Sequence, residues 1–153
     1  DLPYYNVQGE QTVSLWLTLD PVASAVCPEF VAGSHRWGRL YYPVLFRTER
    51  NYEYDGDGYE TVPDIDAARD SYDIRSWDLE PGDALAFSFL TLHGAPANLS
   101  PRRRRGFSTR WLGDDVTYAM RPGRTSPPFT DIGLEPGERL REDMFPVIWP
   151  RGG

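Results

Sequence analysis

The chain is 153 residues long, 40% apolar and 14% aromatic, and carries a formal net charge of −7. That length and composition suit one folded domain around one core and exclude a disordered chain. Sixteen arginines and no lysine leave the basic residues local in an otherwise acidic chain, which argues against a nucleic-acid surface, since that needs a basic domain or a broad basic face.

No apolar run approaches the roughly 18 residues of a membrane span. A lone Cys27 gives no disulfide framework and fits a cytoplasmic protein. The chain begins on Asp1 and not on Met, so residues 1–153 read as a single, incomplete domain of a longer protein. Fourteen Gly and fourteen Pro mean frequent turns, and hence strands in preference to helices.

In chain order, Gln11 to Leu19 alternates cleanly, with Val13, Leu15, Leu17 and Leu19 on one face and Thr12, Ser14, Trp16 and Thr18 on the other. A short strand is expected over Glu29 to Ala32, ending in the turn GSHRWG, and another extended piece over Tyr41 to Phe46. Glu49 to Asp70 is polar and acidic and reads as a long loop or lid. Within it, DGDGYE (Asp55 to Glu60) resembles the start of a calcium loop but carries Glu where the sixth-position glycine is needed, so a solvated loop is the plainer reading. Regularity returns over Tyr72 to Leu79. The turn EPGD follows, and then one long apolar strand, ALAFSFLTLH, that ends on His93. Arg104 to Leu112 is the next strand. The tail from Gly113 holds many prolines and one short helical turn around Gly137 to Asp143. The pattern is all-β, a sandwich or barrel of short strands.

Two histidines carry the chemical interest. His93 ends a strand, precedes the small residues Gly94 and Ala95, and leads into a polar loop with Asn98 and Ser100, a setting in which a side chain can face an open pocket. His35 reads as a turn residue. Ser34 beside it is no nucleophile pair, because no third group orients it. Of the four consecutive arginines at 102–105, strand alternation puts Arg104 with Gly106, Ser108 and Arg110 on one polar face, and Arg105, Phe107, Thr109 and Trp111 on the other. Phe107 and Trp111 are expected to pack. Arg grips a carboxylate through two parallel hydrogen bonds, so Arg104 is a candidate for that task, while Arg102, Arg103 and Arg105 read as a solvated edge.

The block GDALAFSFLTLHGAPANLSPRRRRGFSTRW, with VAGSHRWG and the opening DLPYY, resembles the phytanoyl-CoA dioxygenase family. The resemblance implies a double-stranded β-helix (jelly-roll) core with long loops and an irregular C-terminal tail. It also implies an Fe(II) site of two His and one carboxylate, with 2-oxoglutarate as co-substrate and O2 as oxidant. By this resemblance Asp1 is the aspartate of the His-x-Asp motif, whose His would lie two residues upstream, and His93 is the distal ligand. Arg104, eleven positions after His93, holds the far carboxylate of 2-oxoglutarate, and Asn98 matches a recurrent Asn five positions after the distal His. Trp16 is expected as a pocket wall. The implied activity is hydroxylation of a small-molecule substrate with decarboxylation of 2-oxoglutarate to succinate. The alternatives are a jelly-roll module of the same fold that binds ligands without catalysis, and a cupin-like metal enzyme using His35 with His93.

Overall fold

The structure, a computed structural model, describes residues 1–45, 50–51, 58–129 and 131–149. Twelve short strands alternate with single-turn 3-10 segments. They are β1 (Val7–Gln8), β2 (Thr12–Thr18), β3 (Glu29–Val31), β4 (Leu40–Tyr41), β5 (Val44–Leu45) and β6 (Arg50–Asn51). The series continues with β7 (Tyr59–Glu60), β8 (Ile74–Arg75), β9 (Ala84–Ser88), β10 (His93–Gly94), β11 (Gly106–Leu112) and β12 (Thr117–Tyr118). The all-β expectation holds. Two three-stranded antiparallel sheets carry the architecture, in the orders β11-β2-β9 and β10-β3-β8.

The alternation of β2 places its side chains correctly, but the polar set faces inward. Thr12, Ser14 and Thr18 are buried, whereas Val13 is 39% exposed and Leu19 50%. The register pairs Ser14 with Arg110, Trp16 with Ser108 and Thr18 with Gly106 on one side, and Ser14 with Phe87 and Trp16 with Leu85 on the other. The inner face of this sheet is therefore Thr12, Ser14, Trp16 and Thr18 with Gly106, Ser108, Arg110, Leu85 and Phe87. Phe107 and Trp111, expected to pack, stand on the outer face with Val13 and are 56% and 43% exposed. Two of the inner hydroxyls meet hydrogen-bonding partners: the Ser14 hydroxyl donates to Asp1, and the Thr18 hydroxyl to the Asp20 carbonyl, whereas the buried Thr12 hydroxyl finds none. A buried hydroxyl with a partner costs little, where one without would cost a few kcal/mol by transfer estimates of roughly 1–3 kcal/mol.

The long strand expected over residues 84–93 is two strands in two sheets. β9 ends at Ser88, whose hydroxyl accepts from the Leu90 N–H while its carbonyl accepts from the Thr91 N–H. That turn, with Phe89 buried beneath it, carries the chain across to β10, which pairs with β3 at His93↔Phe30. Apolar continuity in the sequence conceals the crossing because both sheets draw on the same core.

Other expectations shift in smaller ways. Of the acidic segment 49–70, residues 49 and 52–57, and with them the first half of DGDGYE, lie outside the described residues. The remainder is more ordered than a loop: β7 pairs in parallel with β4, and a 3-10 segment, Asp66–Ser71, is tied to β3 by Arg69, which bridges Glu29 and Asp66. Tyr72 to Leu79 contributes only β8 and the isolated bridge Leu79↔Val22. No helical turn covers 137–143, where Arg139 instead bridges to Thr117; the hydrogen-bonded turn lies further on and is closed by the Phe145 N–H on the Arg141 carbonyl. Arg105 is no free edge residue. Its guanidinium and backbone N–H all donate to the Asp20 carboxylate, which holds that carboxyl down at about 2.

Two small clusters fill the space between the layers. Leu2, Val7, Phe89 and Val116 form one, and Val22, Cys27 and Leu79, with Trp16 and Leu85 packed against them, form the other. Gly106 makes room for the second: a Cβ there would lie 2.5 Å from Trp16 Nε1, closer than van der Waals contact allows. Gly106→Ala is accordingly expected to lower stability by about 1–3 kcal/mol through overpacking, read as a lower urea midpoint at unchanged slope.

The Asp20–Arg105 clamp has a pH signature. Its folded-state pKa is depressed, so the stability it adds is present above the ordinary value of 3.8 and is lost as pH falls through about 2. The difference in unfolding midpoint between the wild type and Asp20→Asn is expected to be constant near neutrality and to shrink across that interval. A difference that stays flat down to the lower limit rules the clamp out as a contributor.

Candidate metal centre

Asp1 opens a 3-10 turn, Leu2–Tyr4, that lies against the crossing between the sheets. The backbone nitrogens of Asp1 and Leu2 both donate to the Phe89 carbonyl, at 2.8 and 3.1 Å. This fixes Asp1 to the turn that delivers His93. The Asp1 side chain is 9% exposed and points at the inner face of the large sheet. There its Oδ2 accepts from the Ser14 hydroxyl at 2.5 Å and is ion-paired with Arg110, whose Nε lies 3.2 Å away. Oδ1 faces His93 Nε2 at 3.7 Å.

His93 is held from both sides. Its Nδ1 lies 2.9 Å from the Thr91 carbonyl, which can only accept, so Nδ1 carries the proton and Nε2 presents a lone pair toward Asp1. The ring is stacked on Phe30 at 5.8 Å and tilted against Phe87 at 4.7 Å. Although 27% of the side chain reaches solvent, its nitrogens sit among these rings. Burial, with a smaller contribution from the Arg110 charge, pushes the imidazole below its ordinary value. At neutral pH the ring is therefore uncharged, the state that donates to a metal.

Two acceptors thus face each other at 3.7 Å with no hydrogen between them. A proton would have to bind an imidazole that resists protonation. A metal ion satisfies both, since two bonds of about 2.1 Å, the length typical of nitrogen and carboxylate ligands, span that gap. The residues present fit two of the three positions of a two-His, one-carboxylate site. Among the described residues no group of three or more His, Cys, Asp and Glu is close enough to complete it.

The other residues singled out from the sequence lie elsewhere. Arg104 Nη1 donates to the Val26 and Pro96 carbonyls. Asn98 orders its own loop, donating to the Arg102 carbonyl at 2.8 Å and accepting from the Ser100 hydroxyl at 2.7 Å. Trp16 fills the slot over Gly106, one register step along β2 from Ser14. The partner that Asp1 meets is His93, not His35. His35 sits on the turn Ser34–Arg36 and lines a cleft of about 310 Å³ with Phe30, Arg75, Trp77, Leu85 and Phe87, of which Phe30 and Phe87 also flank His93. Sequence reasoning missed Ser14 and Arg110 as site residues. The signal was available, since both lie on the non-aliphatic faces of strands with clean alternation, and antiparallel pairing sets them opposite each other.

The chain is an all-β jelly roll in which an Asp and a His converge between the sheets. The solved structures agree. The non-heme alpha ketoglutarate dependent epimerase SnoN from nogalamycin biosynthesis superposes with a TM-score of 0.62 at 20% identity, over 94% of this chain and 52% of that one. The non-heme alpha ketoglutarate dependent carbocyclase SnoK from the same biosynthesis gives 0.56 at 22% identity, over 90% and 49%. The chain thus spans about half the length of these structures. No curated protein matches it. The family model for phytanoyl-CoA dioxygenase (PhyH) matches residues 1–106, and the chain belongs to that family. Membership implies Fe(II), 2-oxoglutarate and O2 as metal, co-substrate and oxidant. No helix among the described residues is long and apolar enough to cross a membrane.

Proposed function

We propose that the chain is the jelly-roll domain of an Fe(II)/2-oxoglutarate-dependent dioxygenase that hydroxylates a small molecule, with decarboxylation of 2-oxoglutarate to succinate. The observation that carries the reading is the convergence of two side chains of metal-ligand type, with Asp1 Oδ1 and His93 Nε2 facing each other at 3.7 Å inside the family-matched region. In this reading Asp1 and His93 are two of the three iron ligands, and the third is the histidine of His-x-Asp, two residues before Asp1. Bound there, Fe(II) would activate O2, and O2 would supply the oxidising equivalents, taking two electrons from 2-oxoglutarate as it loses CO2 and two from the substrate C–H bond.

The chain's own residues set the conditions. His93 is kept neutral and fixed in one tautomer by burial and by the Thr91 carbonyl. Phe30 and Phe87 shield the ring and lower the local dielectric around the donors. Arg104 holds the far carboxylate of 2-oxoglutarate. Both of its backbone contacts are made through Nη1, which anchors the guanidinium and leaves the Nε–Nη2 edge, the side suited to a two-point grip on a carboxylate. Asn98 orders the loop that leads to Arg104, and Trp16 walls the pocket beside it.

The test is an anaerobic visible-absorption titration of the full-length chain with Fe(II) and then 2-oxoglutarate. A new metal-to-ligand charge-transfer band is expected, abolished by His93→Ala and reached only at higher 2-oxoglutarate in Arg104→Ala. No band from a folded protein overturns the oxygenase reading and leaves a jelly roll that binds without iron chemistry.

A further inference from the structure

We infer that Ser14 and Arg110 are positioning residues for Asp1: together they occupy Oδ2, so that Oδ1 alone is presented to the metal. This rests on the iron reading above and extends it to two residues that the ligand motif does not contain.

The geometry is specific to one oxygen. Ser14 Oγ donates to Oδ2 at 2.5 Å, Arg110 Nε is ion-paired with the same oxygen at 3.2 Å, and Oδ1 is the atom turned to His93. Ser14 and Arg110 are direct partners in the β2–β11 register, so the fork that receives the carboxylate is built across two paired strands. Ser14 is fully buried, which leaves Oδ2 no water to replace a lost hydroxyl. Arg110 is oriented in its turn. Its Nη1 donates to the Ser108 hydroxyl on the same face, and its guanidinium carbon lies 5.8 Å from the Tyr5 ring centroid.

Charge and orientation make opposite predictions for Arg110, which is what makes the inference testable. A guanidinium near a cation site repels the cation, so if charge alone mattered, removing it would tighten metal binding. If Arg110 acts by fixing the carboxylate, removing it loosens metal binding, because an unrestrained Asp1 loses rotational order or turns both oxygens to the ion. Partners of metal-bound side chains typically change affinity by about 10–100-fold.

The experiment uses the full-length chain and Co(II), whose visible d–d absorption reports coordination number. Affinity is measured by competition with a chromophoric chelator, and the metal-free melting temperature of each variant checks the fold. Ser14→Ala is expected to weaken Co(II) binding by about 10-fold or more and to alter the d–d intensity, as released Oδ2 becomes free to coordinate. Arg110→Met is expected to weaken binding also, with Arg110→Lys intermediate. Because Arg110 is 30% exposed in its side chain, its variants serve if Ser14→Ala does not fold. Wild-type affinity and spectrum in Ser14→Ala, or tighter binding in Arg110→Met, overturns the inference while leaving the iron site standing. A wild type that takes up no Co(II) rejects the iron reading itself, and this assignment with it.

Discussion

The seven-residue antiparallel register between β2 and β11 decides where the functional groups of this molecule lie. It sets Ser14 opposite Arg110 and Trp16 opposite Ser108, with Gly106 beside the indole. A slip of one residue would turn every one of these side chains outward and bring the Val13 and Phe107 rows in. The polar inner row is thereby tied to a single pairing. What holds that pairing is not the burial of aliphatic surface, because the aliphatic row faces out. It is the set of partners the polar row finds inside: Asp1 for Ser14 and Arg110, and a backbone carbonyl for Thr18.

The second constraint is the crossing between Ser88 and His93. One turn moves the chain from the large sheet to the small one, and its Phe89 carbonyl is also the anchor for the backbone of Asp1 and Leu2. The same few residues therefore deliver His93 and hold Asp1. Thr91, inside the turn, fixes the imidazole tautomer. The site is a by-product of how the sheets are joined, so its geometry is as rigid as the junction.

Much of this was legible in the sequence. The alternation of β2 and of 106–112 gave strand type and face membership, and the placement of His93 at an expected strand end before small residues marked it as a pocket residue. The resemblance carried by the 82–111 block supplied Asp1, which no pattern of its own distinguishes. The orientation of the faces was not legible. Hydropathy puts Val13, Leu15, Leu17, Phe107 and Trp111 inside, and only the partners of Ser14 and Arg110 explain why the polar row is buried. Nor was the sheet crossing legible, since ALAFSFLTLH is equally apolar on both sides of it. Arg105 was unreadable for a related reason: its partner Asp20 lies at the far end of β2, and a pairing across strands leaves no local mark.

The junction at Phe89 also bears on how the protein is made. Asp1 and His93 come from opposite ends of the family-matched region, and the pairings that bring them together are all long-range. Loop-closure entropy must be met before such contacts contribute anything, so the donor pair exists only once the jelly roll has assembled. An ion held by that pair binds the folded chain and finds no equivalent in the unfolded one. On the iron reading, such an ion would shift the folding equilibrium by mass action, and metal supply would help determine how much of the polypeptide persists in its native form.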